Sequence, residues 1–394
     1  MALLFRGQLT CAYCQLNAKL LIMRKVNANG HTLNLFLLGL VLALAASAKP
    51  TDSELAQLAE IRAKAEKGDP HFQLELGQVF ESARFQMQQD YAEAAKWYAK
   101  AAEQNLAEAQ DRLAICYSKG QGVVKNEVLA VEWFRKAAEQ NCADAENNLA
   151  FCYSRGQGVA KDDIQAAKWY RRAAAQNVAE AQYGLACCYF NGEGVPQDKA
   201  QAVAWCYRAA EQNLAQAQYI LGTCYDKGDG VKTNYLEAVK WYRQAAGQNH
   251  PGAQWKMGVC CEGGQGLPQN YTNAVEWYRK AAEQNQAEAQ NNLAVCYAGG
   301  LGVAKDETEA VNWYLKAAKQ NLAEAQYGLA ACFVNGQGVS KDYEEAYKWL
   351  LLASAQGNAD AKKALATVAA LMTPEQIAKS RKLADDFRPS VIVH

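Results

Sequence analysis

The sequence predicts an all-α protein, an α-solenoid of eight 36-residue helix-turn-helix repeats with capping helices at its N- and C-terminal ends. The first observation behind this prediction is a tryptophan that recurs every 36 residues, at Trp97, Trp133, Trp169, Trp205, Trp241, Trp277, Trp313 and Trp349. The second is a Gly-x-Gly pair with the same period, which begins at Gly120, Gly156, Gly192, Gly228, Gly264, Gly300 and Gly336. A fixed period of this length indicates a repeat array, in which each repeat packs against its neighbours.

Composition argues against several other classes. Lys and Arg number 41, as do Asp and Glu, so the formal net charge is zero. No long run of one sign occurs either, which argues against a nucleic-acid partner. Half of the residues are apolar and only seven are proline, so the repeat region is not expected to be disordered.

Residues 1–48 read as a secretory signal region with Met23 as its expected start. Met23–Lys25 is positively charged, Leu33–Ala46 is apolar, and Ala46–Ala48 has the small-x-small pattern of a cleavage site. The apolar run is shorter than the roughly 20 residues that span a bilayer as a helix. We therefore expect cleavage, no membrane insertion afterwards, and export to the periplasm or the extracellular space. The alternative is a membrane anchor formed by an uncleaved signal.

Helices are predicted to cap both ends of the repeats. Residues 49–69 contain one helix that opens with a capping-box sequence at Thr51–Glu54 and stops at Gly68. Residues 358–394 repeat the first helix of a unit and add a final helix that begins at Thr373-Pro374. From Pro389 onward we expect a loose tail.

Each repeat within residues 70–357 is predicted to contain two helices. In the stretch 106–141, Ala109 and Leu113 begin an apolar stripe at helical spacing, and Gly120 follows as a helix stop. Asn126 lies where a side-chain oxygen can cap the second helix. Asn141, which tolerates left-handed geometry, ends that helix.

The repeated pattern resembles the Sel-one-like repeat (SLR) family, which is related to the tetratricopeptide repeats. It reads Ala-x-x-x-Leu-Ala/Gly-x-x-Tyr-x-x-Gly-x-Gly-Val-x-x-Asp and then Ala-x-x-Trp-Tyr-x-Lys-Ala-Ala, over about residues 70–390. The resemblance implies a superhelix whose first helices line a concave groove. It also implies an adaptor that holds peptides or proteins and performs no reaction.

The cysteines are predicted to be packing residues. Equivalent helices of neighbouring repeats lie about 8–10 Å apart, too far for a disulfide, which needs Cα atoms within roughly 7 Å. One repeat position carries seven of them: Cys116, Cys152, Cys188, Cys224, Cys260, Cys296 and Cys332. Some secreted relatives staple each helix pair with two cysteines per repeat, and this chain departs from that pattern. An isolated bridge among Cys142, Cys187, Cys206 and Cys261 stays open, and many reduced thiols count against export.

Catalytic and metal-binding motifs are absent from the sequence. The four histidines lack metal-ligand spacing, and no HExxH occurs. The Cys11/Cys14 pair has no second pair to complete a zinc site. Some cysteine-rich relatives have been associated with β-lactam hydrolysis, but the Ser-x-x-Lys, Ser-Asp-Asn and Lys-Thr-Gly motifs are missing. We therefore predict no catalytic residues, no metal and no cofactor.

Candidate binding residues occupy a variable position on the first helix of each repeat, two residues before the core leucine. They are Asn147, Tyr183, Tyr219, Trp255, Asn291 and Tyr327. Aromatic rings anchor partners well, and asparagine amides can hold an extended backbone. The alternative is that these rings pack between repeats, as most helical aromatics do.

The predicted function is that of a non-enzymatic interaction scaffold, with a protein or peptide bound in its groove. An envelope structural component and a secreted enzyme that acts on cell-wall or β-lactam substrates are the alternatives. The sequence makes no prediction about the oligomeric state.

Overall fold

Left-handed residues at regular intervals divide the chain into short helices of similar length. The structure is a computed structural model, and it describes residues 51–390. Within this range it contains nineteen α-helices, one 3-10 turn and no strand. The predicted secretory signal and residues 391–394 lie outside the described residues. The all-α solenoid prediction is confirmed.

The chain divides into two compact units, with the boundary between residues 101 and 102. The first contains α1 (Asp52–Glu66), α2 (Pro70–Ser82), a 3-10 turn (Arg84–Gln86) and most of α3 (Tyr91–Glu103). Thr51 caps α1 and forms a capping box with Glu54, as the sequence predicts. The first repeat lacks the glycine pair, and Ala83 takes the left-handed conformation in its place, with φ 53°.

The second compact unit continues the alternation of first and second helices. Repeats 2–8 have the first helices α4 (Ala107–Lys119), α6 (Ala143–Arg155), α8 (Ala179–Asn191), α10 (Ala215–Lys227), α12 (Pro251–Gly263), α14 (Ala287–Gly299) and α16 (Ala323–Asn335). Their second helices are α5 (Glu127–Glu139), α7 (Asp163–Ala175), α9 (Lys199–Glu211), α11 (Tyr235–Gly247), α13 (Tyr271–Glu283), α15 (Glu307–Lys319) and α17 (Tyr343–Ala355). The end is formed by α18 (Ala359–Ala369) and α19 (Pro374–Asp385). From α4 to α18 each helix packs on the next, and buried alanines allow this close approach, whereas α19 packs on α17.

The two glycines of each Gly-x-Gly pair have different structural roles. Gly192 ends α8 in the left-handed conformation, with φ 75°. Gly194 is also left-handed, and a Cβ there would overlap the backbone carbonyl of Asp163 in the preceding repeat. The second glycine therefore permits contact between neighbouring repeats. The sequence predicts only the helix-ending role.

A polar network that the sequence analysis missed joins each repeat to the one before it. In repeat 4, the buried Gln182 donates from Nε2 to Asn177 Oδ1 at 3.1 Å and to the carbonyl of Ala174 at 3.4 Å. Gln212, at the end of α9, donates to Asn177 Oδ1 at 3.2 Å. The left-handed asparagine thus ends one repeat and anchors the next. Equivalent bonds recur around Gln110, Gln218, Gln254, Gln290 and Gln326.

Repeat 3 keeps this network with different chemistry. Glu146 replaces the buried glutamine and has no amide hydrogen to donate. Arg172 supplies the missing donors, bonding Asn141 Oδ1 at 2.7 Å and the carbonyl of Ala138 at 3.3 Å. Its guanidinium lies 2.6 Å from the Glu146 carboxylate, whose side chain is fully buried. The ion pair therefore replaces an amide pair at one junction.

The repeated tryptophans belong to the second helices and are not uniformly buried. Trp241 and Trp349 are buried, whereas Trp133 and Trp277 are half-exposed. In most repeats a cation three residues later covers the ring, as Lys136 does over Trp133 at 4.0 Å. The repeated tryptophans therefore make both packing contacts and cation–π contacts.

The seven cysteines of the repeated position are all buried, which confirms their predicted packing role. The eleven cysteines within residues 51–390 are free thiols. No helix of this range is long and apolar enough to cross a bilayer.

The chain contacts the repeats again where the predicted tail begins. The backbone N–H of Ser390 donates to the carbonyl of Lys319 at 2.8 Å. Just before it, Phe387 packs edge-on against Trp349 with ring centroids 5.5 Å apart. The aromatic contact brings the chain back to the repeats, so the following residues can pair with the end of α15.

Candidate functional site

The predicted binding residues all lie on first helices, at one equivalent position. Tyr183, Tyr219 and Trp255 are half-buried on α8, α10 and α12. Each ring packs against the core of a different pair of repeats. Part of each ring therefore packs between repeats, as the alternative interpretation expects. The rest of each ring is accessible to solvent. We call the surface of α8, α10 and α12 around these three residues the aromatic face.

Tyr183 lines a cleft at one end of the aromatic face. The Cys187 thiol and the side chain of Gln216 in the next repeat lie close to its hydroxyl. Burial raises the pKa of this phenol. The cleft has a volume of 270 Å³ and is bounded by α8, α9 and α10. Tyr183 is therefore a wall of a preformed concavity as well as a packing residue.

Tyr219 is held by a histidine that the sequence analysis dismissed. The His250 ring stacks on Tyr219 with centroids 4.7 Å apart. Its Nδ1 accepts from the backbone N–H of Ala253, so the imidazole caps α12 and its Nε2 carries the hydrogen. Nε2 donates to Gln216 Oε1 at 2.9 Å. Gln216 thus lies close to both Tyr183 and His250.

Trp255 lies beside a half-buried ion pair. Lys256 Nζ lies 5.1 Å from the centroid of the Trp255 ring and 3.1 Å from Asp226 Oδ2. The Tyr242 hydroxyl donates to the same carboxylate at 3.2 Å. Trp255 Nε1 is buried and has no hydrogen-bond partner among the described residues. The aromatic face therefore offers an indole next to a neutralised pair of charges.

The other predicted residues are separate from this cluster. Asn147 and Asn291 are half-buried on α6 and α14, and Tyr327 on α16 is 36% exposed. The equivalent Asp111 is buried, and Asn148 donates to its carboxylate at 2.9 Å. Only the middle three positions are brought together, because only there do aromatics occupy consecutive repeats.

The ionisable groups favour binding over nucleophilic chemistry. Burial raises the pKa of the Cys224 thiol to about 11, and it also raises the pKa of the Cys187 and Cys206 thiols. Protonated thiols are poor nucleophiles and poor metal ligands. Within residues 51–390, no cluster of His, Cys, Asp or Glu could hold a metal ion.

His250 and the cleft were not predicted from the sequence, for different reasons. His250 stands where other repeats carry Leu106, Cys142 or Val178, and this break in the pattern was a usable signal. The cleft depends on how side chains from three helices meet, which the spacing of residues does not reveal.

The fold is that of a helical-repeat scaffold. The Sel1 repeat family model matches eight consecutive segments, residues 70–106, 107–142, 143–178, 179–214, 215–250, 251–286, 287–322 and 323–358. The chain belongs to this family. Sel1 repeats are typically protein-interaction modules and are generally non-catalytic.

Among solved structures, the chain is similar to a Sel1 repeat protein from Oxalobacter formigenes. The two share 28% sequence identity with a TM-score of 0.58, over 82% of this chain and 94% of that one. A protective antigen present in uropathogenic Escherichia coli strains, which displays an SLR fold, is 26% identical with a TM-score of 0.39. That match covers 84% of this chain and 94% of the antigen. No curated protein matches the chain.

Proposed function

We propose that the protein is a non-enzymatic scaffold that binds a peptide or protein along the aromatic face. In this proposal the face lies in the concave groove that the family resemblance implies. The observation that carries the proposal is the break in repeat uniformity at Tyr183, Tyr219 and Trp255, where half-exposed rings occupy three consecutive repeats and Tyr183 lines a cleft. Repeats needed only for stacking have no reason to diverge at three consecutive equivalent positions.

The chemistry of the face favours a partner with apolar side chains and exposed backbone amides. Tyrosine and tryptophan present large rigid surfaces at low entropic cost and are enriched among residues that dominate binding energy. Trp255 Nε1 is buried, so the indole offers a partner its apolar surface. The Asp226–Lys256 pair neutralises the local charge, so no strongly charged partner is favoured.

Affinity capture with the full chain tests this proposal. The face variant Tyr219→Asn/Trp255→Asn introduces the residue that repeats 3 and 7 carry at the same position, as Asn147 and Asn291. The control Ile164→Asn/Leu236→Asn changes two exposed apolar residues of second helices, 68% and 71% exposed. Proteins captured by the wild type and the control, and depleted about tenfold or more with the face variant, are the expected partners.

Equal recovery of every protein with both variants would count against the aromatic face. Hydrolysis of a β-lactam reporter such as nitrocefin by the purified chain would count against the non-enzymatic assignment.

We further propose that the scaffold is exported, on the basis of the signal-like pattern at residues 23–48. Cell fractionation and sequencing of the mature N-terminus test this part. A mature protein that begins at Lys49 in the periplasm or medium is expected. A membrane-bound chain that retains Leu33–Ala46 would instead support an uncleaved anchor.

A further inference from the structure

One position of the second helix is aromatic in most repeats and is a cysteine in repeat 4. The residue after the repeated tryptophan is Tyr98, Phe134, Tyr170, Tyr242, Tyr278 or Tyr314 in six repeats. Repeat 8 has Leu350, and repeat 4 has Cys206. A thiol fills much less space than a phenyl ring. Repeat 4 is therefore the place where the ring is missing.

Neighbouring repeats show where that ring lies. A Cβ on Gly222 of α10 would come within 2.7 Å of the Tyr242 ring, so the ring lies directly on the first helix of its own repeat. The Tyr278 hydroxyl reaches Glu262 of its own repeat and accepts from Asn292 of the next at 3.1 Å. The ring thus fills the space between two consecutive first helices.

In repeat 4 the corresponding space is the 270 Å³ cleft. Its lining includes Ala186, Phe190 and Ile220, together with Cys206 itself. By the 36-residue period, Ala186 corresponds to Gly222, Phe190 to Asp226, and Ile220 to Asn292. The cleft is therefore the vacant ring position, with apolar residues where other repeats place the hydrogen-bonding partners of a tyrosine hydroxyl.

The lining selects an apolar ring. No carboxylate stands at position 190 to receive a phenol hydroxyl, in contrast to Asp226 and Glu262. The Cys206 thiol already donates to the carbonyl of Ala217 at 3.2 Å. A phenol hydroxyl at the ring position of Tyr242 would meet Phe190 and not a carboxylate, whereas a phenyl ring needs no such partner. An apolar cavity of about 150 Å³ can bind benzene, so this cleft is large enough for a phenyl ring.

We propose that the cleft is a specificity pocket for a phenylalanine side chain of the bound peptide. This inference rests on the proposed scaffold function and names the side chain that the scaffold recognises. Tyr183 lines the cleft and belongs to the aromatic face, so the pocket and the face are continuous. Exposed Asn191 and Lys227 lie at the C-terminal ends of α8 and α10, where the cleft meets solvent.

The test measures binding of N-acetyl-L-phenylalanine amide to the full chain by backbone amide chemical shifts. Saturable shifts centred on Ile220 and Thr223 are expected for the wild type, with weaker shifts for the tyrosine and leucine amides. Cys206→Phe supplies the missing ring from the chain itself. This variant is expected to bind the phenylalanine amide at least tenfold more weakly than the wild type and to have a higher Tm.

Cys188→Phe is the matched control, because Cys188 is buried in repeat 4 and does not line the cleft. Overpacking there is expected to lower the Tm. If Cys206→Phe lowers the Tm as much, or if wild type and Cys206→Phe respond alike to the amide, the pocket assignment is wrong. Cys206→Leu, which carries the residue found at position 350, replaces the phenylalanine variant if that variant does not fold.

Partner capture separates this inference from the scaffold function. If Cys206→Phe captures the wild-type partner undiminished, the pocket assignment fails and the scaffold function stands. If neither protein captures a partner, the scaffold function fails, and amide binding still decides whether the pocket accepts a phenyl ring.

Discussion

Gln212 Nε2 donates to Gln182 Oε1 at 2.9 Å, and this bond closes a three-residue network with Asn177. Gln182 is only 2% exposed, so its amide cannot exchange these bonds for water. Buried polar groups left without partners cost more than the net energy of the bonds they make. The network therefore holds neighbouring repeats in a fixed relation.

Gln182→Leu is expected to lower the free energy of unfolding by about 1–3 kcal/mol, because Gln212 and Asn177 lose a partner. Urea denaturation followed by circular dichroism measures the change. Gln201→Leu removes an exposed amide from α9 and should change the value by less than about 0.5 kcal/mol. Equal effects of the two variants would contradict a structural role for the network.

Gly194→Ala is expected to destabilise the protein by about 1–3 kcal/mol, because the residue is left-handed and its Cβ would overlap the Asp163 carbonyl. Gly247→Ala is the control, since Gly247 lies in α11 and nothing approaches its Cβ position within 4 Å. That change should stabilise by about 0.5–1 kcal/mol. Urea midpoints that shift in the same direction for both variants would refute the contact between repeats.

Asp111→Asn is expected to stabilise the protein at neutral pH. Burial raises the pKa of Asp111 from 3.8 to about 6, and the Asn148 hydrogen bond opposes this rise. A raised carboxyl pKa means that the folded state holds its proton longer than the unfolded state. Stability is therefore lost as pH rises from about 4 to 6, by up to about 3 kcal/mol.

Free energies of unfolding at pH 4 and pH 7 check this prediction. Between pH 4 and pH 7, the free energy of unfolding of the asparagine variant should rise relative to that of the wild type. Asn147 and Asn291 show that the position accepts asparagine. A difference between wild type and variant that does not change with pH would exclude Asp111 as the titrating group.

His250→Asn is expected to remove a pH dependence of the opposite sign. Burial lowers the pKa of His250 from 6.5, so the folded state resists the proton that the unfolded state accepts. Stability is present above pH 6.5 and is lost as pH falls through the folded pKa. Asparagine keeps the helix cap, because Asn358 caps α18 by accepting from Ala361 N at 2.9 Å.

The comparison uses urea midpoints at pH 7.5 and pH 5.0. The wild type should lose more stability than the variant between these values. Identical losses would mean that the His250 imidazole does not titrate differently in the two states.

The helices could be predicted from the sequence because their ends require special backbone geometry. Asn141 and Gly120 recur where the chain must be left-handed, and Asn126 recurs where a second helix needs a cap. These requirements are local, so residue type and period suffice. The buried cysteines could be predicted in the same way. They recur with the same period as the core leucine and lie on the same face of the first helix.

The polar network and the cleft could not be predicted in this way. Gln182 recurs with the period, but glutamine is usually exposed, and its burial depends on a left-handed asparagine in the preceding repeat. The missing ring at Cys206 is visible in the sequence as a substitution. Whether it leaves a cavity depends on Ala186 and Ile220, which belong to two other helices. Packing between distant residues decides both features.

The most direct test of the central claim is site-specific photocross-linking of a captured partner. Trp255→p-benzoylphenylalanine places the reactive group on the aromatic face, and Leu236→p-benzoylphenylalanine places it on an exposed second helix. A partner cross-linked from position 255 and not from position 236 is the expected result. A partner cross-linked from position 236 alone would show that the scaffold binds through its second helices, contrary to this account.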